Sequence, residues 1–242
     1  MQLRSPLVWP RVPFEVARYV GELRRFRREG ASPINGPINL EPVLFQRGLA
    51  SPFDHHYGYQ AAWATRLIAK AAPARHHDVS SAVPFVLQLA GIVPVTYLEF
   101  NPPKVEFPGL TTEHGTVTAL PWGDRSVESL SCMHVVEHVG LGRYGDPIDP
   151  GGAQTALREL ARVLAPGGTL YLSAPAGRAR VAFNAHRVLD PRAVPEVMER
   201  EGLSLAGFAY VDDAGDFHGD ARPDDAAGMR YGLGMWRLTR EG

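Results

Sequence analysis

The chain has 242 residues, a length suited to one α/β domain with a large core, or to one such domain with a small extension. Hydrophobic residues make up 45% and charged residues 21% of the sequence, which excludes disordered and fibrous classes. The formal net charge is -1, so no overall field attracts nucleic acid or an anionic membrane, and neither is expected as a partner.

Cysteine usage and hydropathy indicate the compartment. Cys132 is the single cysteine, which excludes a disulfide framework and fits a reducing environment. No apolar run reaches the ~18 residues of a membrane span. The first four residues are not followed by the apolar region of a secretion signal. We therefore expect a cytoplasmic protein.

The amino-terminal quarter reads as an extension. Prolines at positions 6, 10 and 13 predict an extended arm over residues 1–13. Apolar residues at helical spacing predict a helix over 14–28, ending in arginines that suit its carboxyl end. Prolines and glycines predict an irregular connection over 30–53. We expect residues 1–53 to form an arm and helix, and residues 54–242 to form the main domain.

Strands and helices alternate after a predicted helix over 54–72, which Pro73 ends. This alternation predicts βαβ units and a doubly wound, mostly parallel, Rossmann-like sheet. The predicted strands cover residues 75–79, 95–100, 109–113, 126–133 and 169–174, and the predicted helices between them cover 84–90, 154–164 and 191–201.

The order changes at the carboxyl end of the sequence. Residues 203–211 and 231–239 predict two more strands, joined by a loop with six aspartates between 212 and 225. Because strands joined without a helix pair antiparallel, we expect an antiparallel hairpin at the edge of a seven-stranded sheet.

In such a sheet the ligand lies beyond the carboxyl ends of the strands. The first predicted strand contains Asp78 and leads into a turn with Ser80 and Ser81, small residues that let a ligand approach the backbone. Glu99 ends the second strand, where an acidic side chain suits ribose hydroxyls. The glycines of a G-x-G-x-x-G turn are absent.

His134, Glu137 and His138 follow the fourth predicted strand. A helical turn begun at His134 would place all three on one face. The H-x-x-E-H spacing matches a zinc-protease motif in which two histidines bind zinc and the glutamate activates water. The alternatives are a structural role for Glu137, with the two histidines lining an active site, and a proton-transfer or metal site.

Two motifs resemble a known family. Residues 134–139 read His-Val-Val-Glu-His-Val, and residues 162–168 read Arg-Val-Leu-Ala-Pro-Gly-Gly. Together with the segment 115–126, they resemble the class I S-adenosylmethionine-dependent methyltransferases. More narrowly, residues 138–147 and 183–187 resemble the methyltransferase-like family DUF268.

The resemblance implies a sheet that binds S-adenosylmethionine. It implies that Asp78, Ser80 and Ser81 lie near the methionine part and that Glu99 holds the ribose. Thr116 stands where the family has an acidic adenine contact, Leu120 or Trp122 flanks adenine, and His134 also lines the cofactor site. In some similar quinone-pathway O-methyltransferases the matching turn holds a metal, which keeps a divalent-cation site at His134, Glu137 and His138 open.

The implied reaction is methyl transfer to a small molecule or glycan-type metabolite, with oxygen as the expected acceptor. A histidine is the expected base, with His134 first, then His138 and His186. His186 has an alternative role in holding the loop before the last helix. His55 and His56 could reach the cleft, although a surface pair is the preferred interpretation. The alternative function is a non-catalytic methyltransferase-like protein with a degenerate cofactor site. Nothing in the sequence indicates an oligomeric state.

Overall fold

The computed structural model describes residues 9–29, 38–45 and 51–242. The chain divides into two compact units, Met1–Pro52 and Phe53–Gly242. Within the residues described, no helix is both long enough and apolar enough to cross a membrane.

The first unit contains one long helix. A 3-10 turn covers Trp9–Arg11, and helix α1 covers Val12–Glu29. The prediction of an extended arm is therefore wrong for residues 9–13, because Pro13 stands in the first turn of the helix, where a missing N–H costs nothing. Residues 1–8 of the predicted arm, and residues 30–37 and 46–50 of the predicted connection, lie outside the described residues.

The second unit alternates strands and helices as predicted, with boundaries that mostly agree within two residues. Its helices are α2 (His55–Ala71), α3 (Val83–Ala90), α4 (Gly152–Val163), α5 (Ala193–Arg200) and α6 (Pro223–Ala226). Its strands are β1 (His76–Val79), β2 (Val95–Glu99), β3 (Leu110–His114), β4 (Val127–Met133), β5 (Leu164–Ala176), β6 (Arg180–Ala182), β7 (His186–Val188), β8 (Leu203–Val211), β9 (Phe217–His218) and β10 (Gly232–Arg240).

The main sheet confirms the predicted Rossmann-like class and corrects its details. Its order is β3-β2-β1-β4-β5-β10-β8-β9, and β1 to β5 pair parallel. The sheet has eight strands rather than seven, because the short β9 pairs with β8 beyond a turn at Gly215.

Strand β10 is antiparallel to both β5 and β8. The pairing with β8 confirms the predicted antiparallel hairpin, but β10 lies inside the sheet, between β5 and β8, and not at its edge. The physical reason is its composition. Leu233, Met235, Trp236 and Leu238 are all fully buried, so the strand is apolar on both faces, as a central strand must be.

The core lies on both faces of this sheet. On one face, Leu160 of α4 and Met198 of α5 belong to the same apolar cluster as Leu172 of β5. On the other face, Ile68 of α2 and Leu89 of α3 pack in a second cluster. Helices on both faces leave the carboxyl ends of the strands open, which is where a ligand binds in such folds.

The Arg162 motif has a structural function. Its guanidinium donates to the carbonyl oxygens of Leu120 and Trp122, each at 3.0 Å. It also donates to Asp124 at 2.6 Å and to Glu159 of its own helix. The side chain thus fixes the segment before β4 against α4.

A small hairpin, formed by β6 and β7, lies outside the main sheet. Arg187 anchors it, because its Nη1 donates to the Val139 carbonyl oxygen at 2.6 Å and its backbone N–H donates to the Glu137 carbonyl at 2.9 Å. The sequence motif over 183–187 is therefore the part of the hairpin that docks beside the loop after β4.

Candidate functional site

Two cavities open beside the turn that follows β4. The first, which we call the strand-end cavity, has a volume of about 590 Å³ and is lined by Ser80, Glu99 and Thr116. The second, the histidine cavity, has a volume of about 910 Å³ and is lined by His55, His56, His134, His138 and His186. The residues common to both linings are Tyr57, His134, His138 and Tyr144.

His134 has an unusual backbone conformation. Its φ is 58°, in the left-handed region that a β-carbon disfavours, and its N–H donates to the Ser173 carbonyl at 2.9 Å. His134 therefore does not begin a helical turn. Strain of this kind in a non-glycine residue is found most often at functional sites.

The side chains of His134 and Glu137 nevertheless meet. His134 Nδ1 lies 2.6 Å from Glu137 Oε1, and the Glu137 side chain is fully buried. Because an ionised carboxylate only accepts, Nδ1 carries the hydrogen, and in the neutral ring Nε2 carries the lone pair. Nε2 is buried and has no hydrogen-bond partner among the described residues.

His138 is held by the β6–β7 hairpin. Its Nδ1 lies 2.7 Å from the Ala185 carbonyl oxygen, so Nδ1 donates there. Its Nε2 lies 3.6 Å from Glu137 Oε1. Burial lowers the pKa of His138, while the Glu137 carboxylate acts in the opposite direction.

A column of rings forms one wall of the histidine cavity. The His134 ring stacks on Tyr57 at 5.0 Å and on His56 at 5.5 Å. His56 in turn stacks on Tyr231 at 5.4 Å, and Tyr231 lies 5.1 Å from His186. In the described part of the chain, no hydrogen bond occupies the Tyr57 or Tyr231 hydroxyl or the His56 and His186 ring nitrogens.

Helix α2 brings the first two rings of this column into place. Asp54 caps its amino end by accepting from the Tyr57 N–H at 3.0 Å. His55 Nδ1 lies 2.8 Å from the Gly215 carbonyl, and Gln60 accepts from Ser173 at 2.5 Å. These contacts fix the start of the helix between β5 and the loop before β9.

Burial lowers the pKa of two further histidines of the cavity, His56 and His186. Burial, with the neighbouring His134 as a second cause, lowers the pKa of His56 to about 4. Burial also lowers the pKa of His186. Arg143 is the only lysine or arginine among the described residues that line the cavity, and its Nη1 donates to the Ala185 carbonyl at 2.9 Å.

Two carboxylates of the histidine cavity, Asp212 and Asp213, are bound by the backbone. Asp213 accepts from the N–H groups of Arg230 and Tyr231 at 2.8 and 2.7 Å. Asp212 accepts from two backbone N–H groups and from His218 Nε2, which lies 2.8 Å away. These aspartates therefore shape the loop before β9.

The strand-end cavity has an acidic lining. Glu99 ends β2, and its two oxygens accept from Asn101 N–H and Tyr97 hydroxyl, both at 3.1 Å. Asp146 and Asp149 line the same cavity, and no lysine or arginine is among the described residues that do. Ser80 adopts a left-handed φ of 55° and donates through its N–H to the Leu98 carbonyl at 2.8 Å.

The predicted site residues fall into three groups. Ser80, Glu99, Thr116, His134 and His138 line the strand-end cavity, whereas His186 lines only the histidine cavity. Asp78 and Ser81 are buried beneath the turn after β1. Leu120 and Trp122 are not among the described residues lining either cavity. Leu120 is buried in the core, and Trp122 packs edge-on against His77 and donates to Glu113 at 3.1 Å.

The described residues do not form the alternative metal site at His134, Glu137 and His138. In the ranges that the structure describes, no group of three histidines, cysteines, aspartates or glutamates is arranged to hold a metal ion. One reason is local: His134 Nδ1 and His138 Nδ1 are both engaged, with Glu137 Oε1 and the Ala185 carbonyl respectively.

Sequence reasoning missed several residues of the histidine cavity. His56, Tyr57, Arg143, Tyr144 and Tyr231 all line it. For the His55–His56 pair a surface position was preferred to one at the cleft, although a predicted helix starting beside it was the available signal. Tyr231 comes from the start of β10, which only the central position of that strand brings to this cavity.

Comparison with known proteins places this architecture. Residues 124–216 match the model of a family described as "Caenorhabditis protein of unknown function, DUF268". Over this segment, which is less than half of its length, the chain is similar to the DUF268 family. The match covers β4, the His134–Glu137 turn and the β6–β7 hairpin, so it contains the motifs on which the predicted relation was based. That relation is confirmed. No curated protein matches the chain.

Solved structures share the fold of this chain at low sequence identity. The Burkholderia thailandensis 1,6-didemethyltoxoflavin-N1-methyltransferase is 15% identical, with a TM-score of 0.53 over 74% of this chain and 78% of that one. The N-methyltransferase NodS of Bradyrhizobium japonicum is 14% identical, with a TM-score of 0.55 over 76% and 87%. The [4+2]-cyclase SpnF is 14% identical, with a TM-score of 0.52 over 73% and 80%. At these identities the likeness shows the class I methyltransferase fold.

Proposed function

We propose that this chain transfers the methyl group of S-adenosylmethionine to a hydroxyl oxygen of a small, glycan-type acceptor. The observation that carries the proposal is the position of His134. Its ring lies where the two cavities meet, Glu137 holds one nitrogen, and the other nitrogen is buried without a partner.

The strand-end cavity suits the cofactor. Its volume of about 590 Å³ is typical of small-molecule sites. Glu99 keeps acceptor capacity for ribose hydroxyls, because each carboxylate oxygen can accept two hydrogen bonds. The acidic lining favours a cation, and S-adenosylmethionine carries a positively charged sulfur that makes its methyl group reactive. Ser80 and Ala82 are small enough for close approach to the backbone.

The structural neighbours add support at the level of the cofactor. The Burkholderia thailandensis enzyme was crystallised with S-adenosylhomocysteine and its substrate, and NodS with S-adenosylhomocysteine. Both are N-methyltransferases, so our choice of oxygen as acceptor depends on the residues of the histidine cavity.

The proton has a defined destination. As the acceptor oxygen bonds to the methyl carbon, its hydrogen passes to His134 Nε2 and the carbon–sulfur bond breaks, leaving a neutral thioether. The imidazolium that forms lies against the buried Glu137 carboxylate, which stabilises the new charge. Alignment of the two reactants supplies the rest of the catalysis.

The histidine cavity favours an uncharged acceptor with several hydroxyl groups. Its unoccupied polar groups are tyrosine hydroxyls and neutral imidazoles, which both donate and accept hydrogen bonds, as alcohols do. A phosphate or carboxylate group on the acceptor would meet a single cationic side chain among the described lining residues. That side chain is Arg143, which already donates to the Ala185 carbonyl. The Asp212 and Asp213 carboxylates accept from the backbone and hold the loop before β9 in place.

A panel of labelled acceptors tests the proposal. Neutral methyl glycosides, matched amino sugars and matched sugar phosphates are incubated with the chain and with S-adenosylmethionine carrying a radioactive methyl group. We expect transfer to the neutral compounds. His56→Phe, which keeps the stacked ring but removes its polar edge, should raise KM for the acceptor. Transfer to the amino sugar nitrogen alone would contradict the oxygen acceptor.

The alternative, a non-catalytic methyltransferase-like protein, is favoured by the serines in place of a glycine-rich turn. The cyclase SpnF also shows that this fold hosts other activities. The alternative predicts that Glu99→Ala and His134→Ala leave cellular function intact.

We also propose a cytoplasmic location, supported by the buried, unpaired thiol of Cys132, and an extension formed by residues 1–53 ahead of the methyltransferase-like domain.

A further inference from the structure

A hydrogen-bond network of buried side chains runs beneath the strand-end cavity from β4 through β1 to the turn after β1. His76 Nδ1 lies 2.8 Å from Ser129 Oγ, and its Nε2 lies 2.8 Å from Ser131 Oγ. Ser131 donates to Asp78 Oδ2. Ser81 donates to the same oxygen at 2.7 Å and, through its N–H, to Oδ1 at 3.0 Å.

The donor hydrogens of this hydrogen-bond network are all directed toward Asp78. Ser131 has one hydroxyl hydrogen and gives it to Asp78, so it accepts from His76 Nε2. A neutral imidazole donates from one nitrogen only, so Nδ1 accepts from Ser129. The Asp78 carboxylate thus accepts three hydrogen bonds, and the polar groups of this buried region are satisfied around it.

Ser81 connects this hydrogen-bond network to three walls of the strand-end cavity. Its Oγ accepts from the Met133 N–H at 3.0 Å, the residue before His134. Its carbonyl oxygen lies 3.1 Å from the Tyr97 hydroxyl, which lies 3.1 Å from Glu99 Oε2. Its neighbours Ser80 and Ala82 form the third wall.

We infer that Ser81, held by Asp78, is a positioning residue that couples the cofactor turn to Glu99 through Tyr97 and to the His134 turn through Met133. The inference rests on the proposed function. Flexible glycines are absent from this turn, and the hydrogen bonds of Ser81 supply a rigid alternative. Any change that frees the Ser81 hydroxyl should therefore disturb cofactor binding and the His134 ring together.

Calorimetry with S-adenosylhomocysteine and NMR of the His134 ring test the coupling. Ser81→Ala removes the hydroxyl that joins Asp78 to Met133, and we expect its Kd to rise about tenfold and its His134 signals to shift. Ser129→Ala is the matched control, because Ser129 is also a buried serine but contacts only the distal nitrogen of His76. We expect its Kd to stay within about twofold of wild type, with His134 signals unchanged.

A milder variant covers the case in which Ser81→Ala does not fold. Tyr97→Phe keeps the buried ring and removes the hydroxyl between Ser81 and Glu99, and we expect its Kd to rise several-fold. An unchanged Kd in whichever of the two variants folds would overturn this inference, and so would an equal rise of the Kd in Ser129→Ala. Either result would leave the proposed function standing. If wild type binds no S-adenosylhomocysteine, the proposed function fails and takes this inference with it.

Discussion

The buried carboxylate of Glu137 lies 2.6 Å from Nδ1 of His134, and this contact determines what His134 offers to a ligand. It directs the hydrogen of the neutral ring to Nδ1 and leaves the lone pair on Nε2, a buried atom with no hydrogen-bond partner among the described residues.

The first prediction concerns the proposed role of His134 as a base. His134→Asn removes Nε2, and we expect methyl transfer to the best acceptor of the glycoside panel to fall about 10²–10⁴-fold, the usual contribution of a general base. The Kd for S-adenosylhomocysteine, measured by calorimetry, should change little. Equal losses of transfer and cofactor affinity would indicate that His134 only lines the site.

The second prediction concerns pH and Asp78. Burial raises the pKa of Asp78 from its ordinary value of 3.8 to about 6, although three hydrogen bonds act against that rise. The folded state therefore holds this proton more tightly than the unfolded state. Asp78 contributes most to stability below pH 3.8, and that contribution is lost as pH rises to about 6, by an amount of order ~3 kcal/mol.

Urea unfolding at several pH values measures this effect, as the difference between wild type and Asp78→Asn. The comparison isolates Asp78 from His56 and His76. Burial lowers the pKa of both histidines, so their effect on stability with pH has the opposite sign. If the difference in stability between the two proteins stays constant from pH 3.8 to about pH 6, the raised pKa of Asp78 is contradicted.

The third prediction concerns Arg162. Arg162→Ala removes the hydrogen bonds that fix residues 120–124 to α4, and we expect a loss of ~1–3 kcal/mol in the free energy of unfolding. Arg158→Ala is the control on the same helix. Its ion pair with Glu201 at 3.4 Å is largely exposed and should contribute only ~0–1 kcal/mol. Equal losses in chemical denaturation would refute the structural function of Arg162.

The fourth prediction concerns the loop after β4. Gly140 has a φ of 76°, and a β-carbon there would lie 2.0 Å from the Asp149 carbonyl oxygen. Gly145 also has a positive φ, of 89°, but a β-carbon there would meet nothing within 4 Å.

Gly145→Ala should therefore cost only the ~1–2 kcal/mol of left-handed strain. Gly140→Ala should cost clearly more and also weaken S-adenosylhomocysteine binding, since Asp146 and Asp149 line the strand-end cavity. Thermal unfolding and calorimetry measure both effects, and indistinguishable variants would show that the close approach at Gly140 has no consequence.

Much of the fold could be predicted because its signals are local. Hydrophobic periodicity and turn residues located α2 and β1 to β4 within two residues. The central position of β10 could not be predicted in this way, since it depends on pairing with β5 and β8, which are distant in the sequence. The β6–β7 hairpin is three residues per strand and anchored by Arg187, so it gives no periodic signal.

The candidate site shows the same division. Ser80, Glu99 and His134 stand at strand ends and could be located from the strand order alone. The column of rings could not, because His56, Tyr231 and His186 come from three separate elements that meet only in the folded chain. Ser81 was selected as a ligand contact, whereas the structure places its hydroxyl below the turn, between Asp78 and Met133.

Titration of the chain with S-adenosylhomocysteine in a calorimeter, with Glu99→Ala as the comparison, tests the central claim most directly. The proposed methyltransferase binds the ligand with a micromolar Kd, and the variant binds about tenfold more weakly because it lacks the carboxylate that faces the ribose. Absence of binding to wild type at millimolar concentration, for both S-adenosylhomocysteine and S-adenosylmethionine, would contradict it.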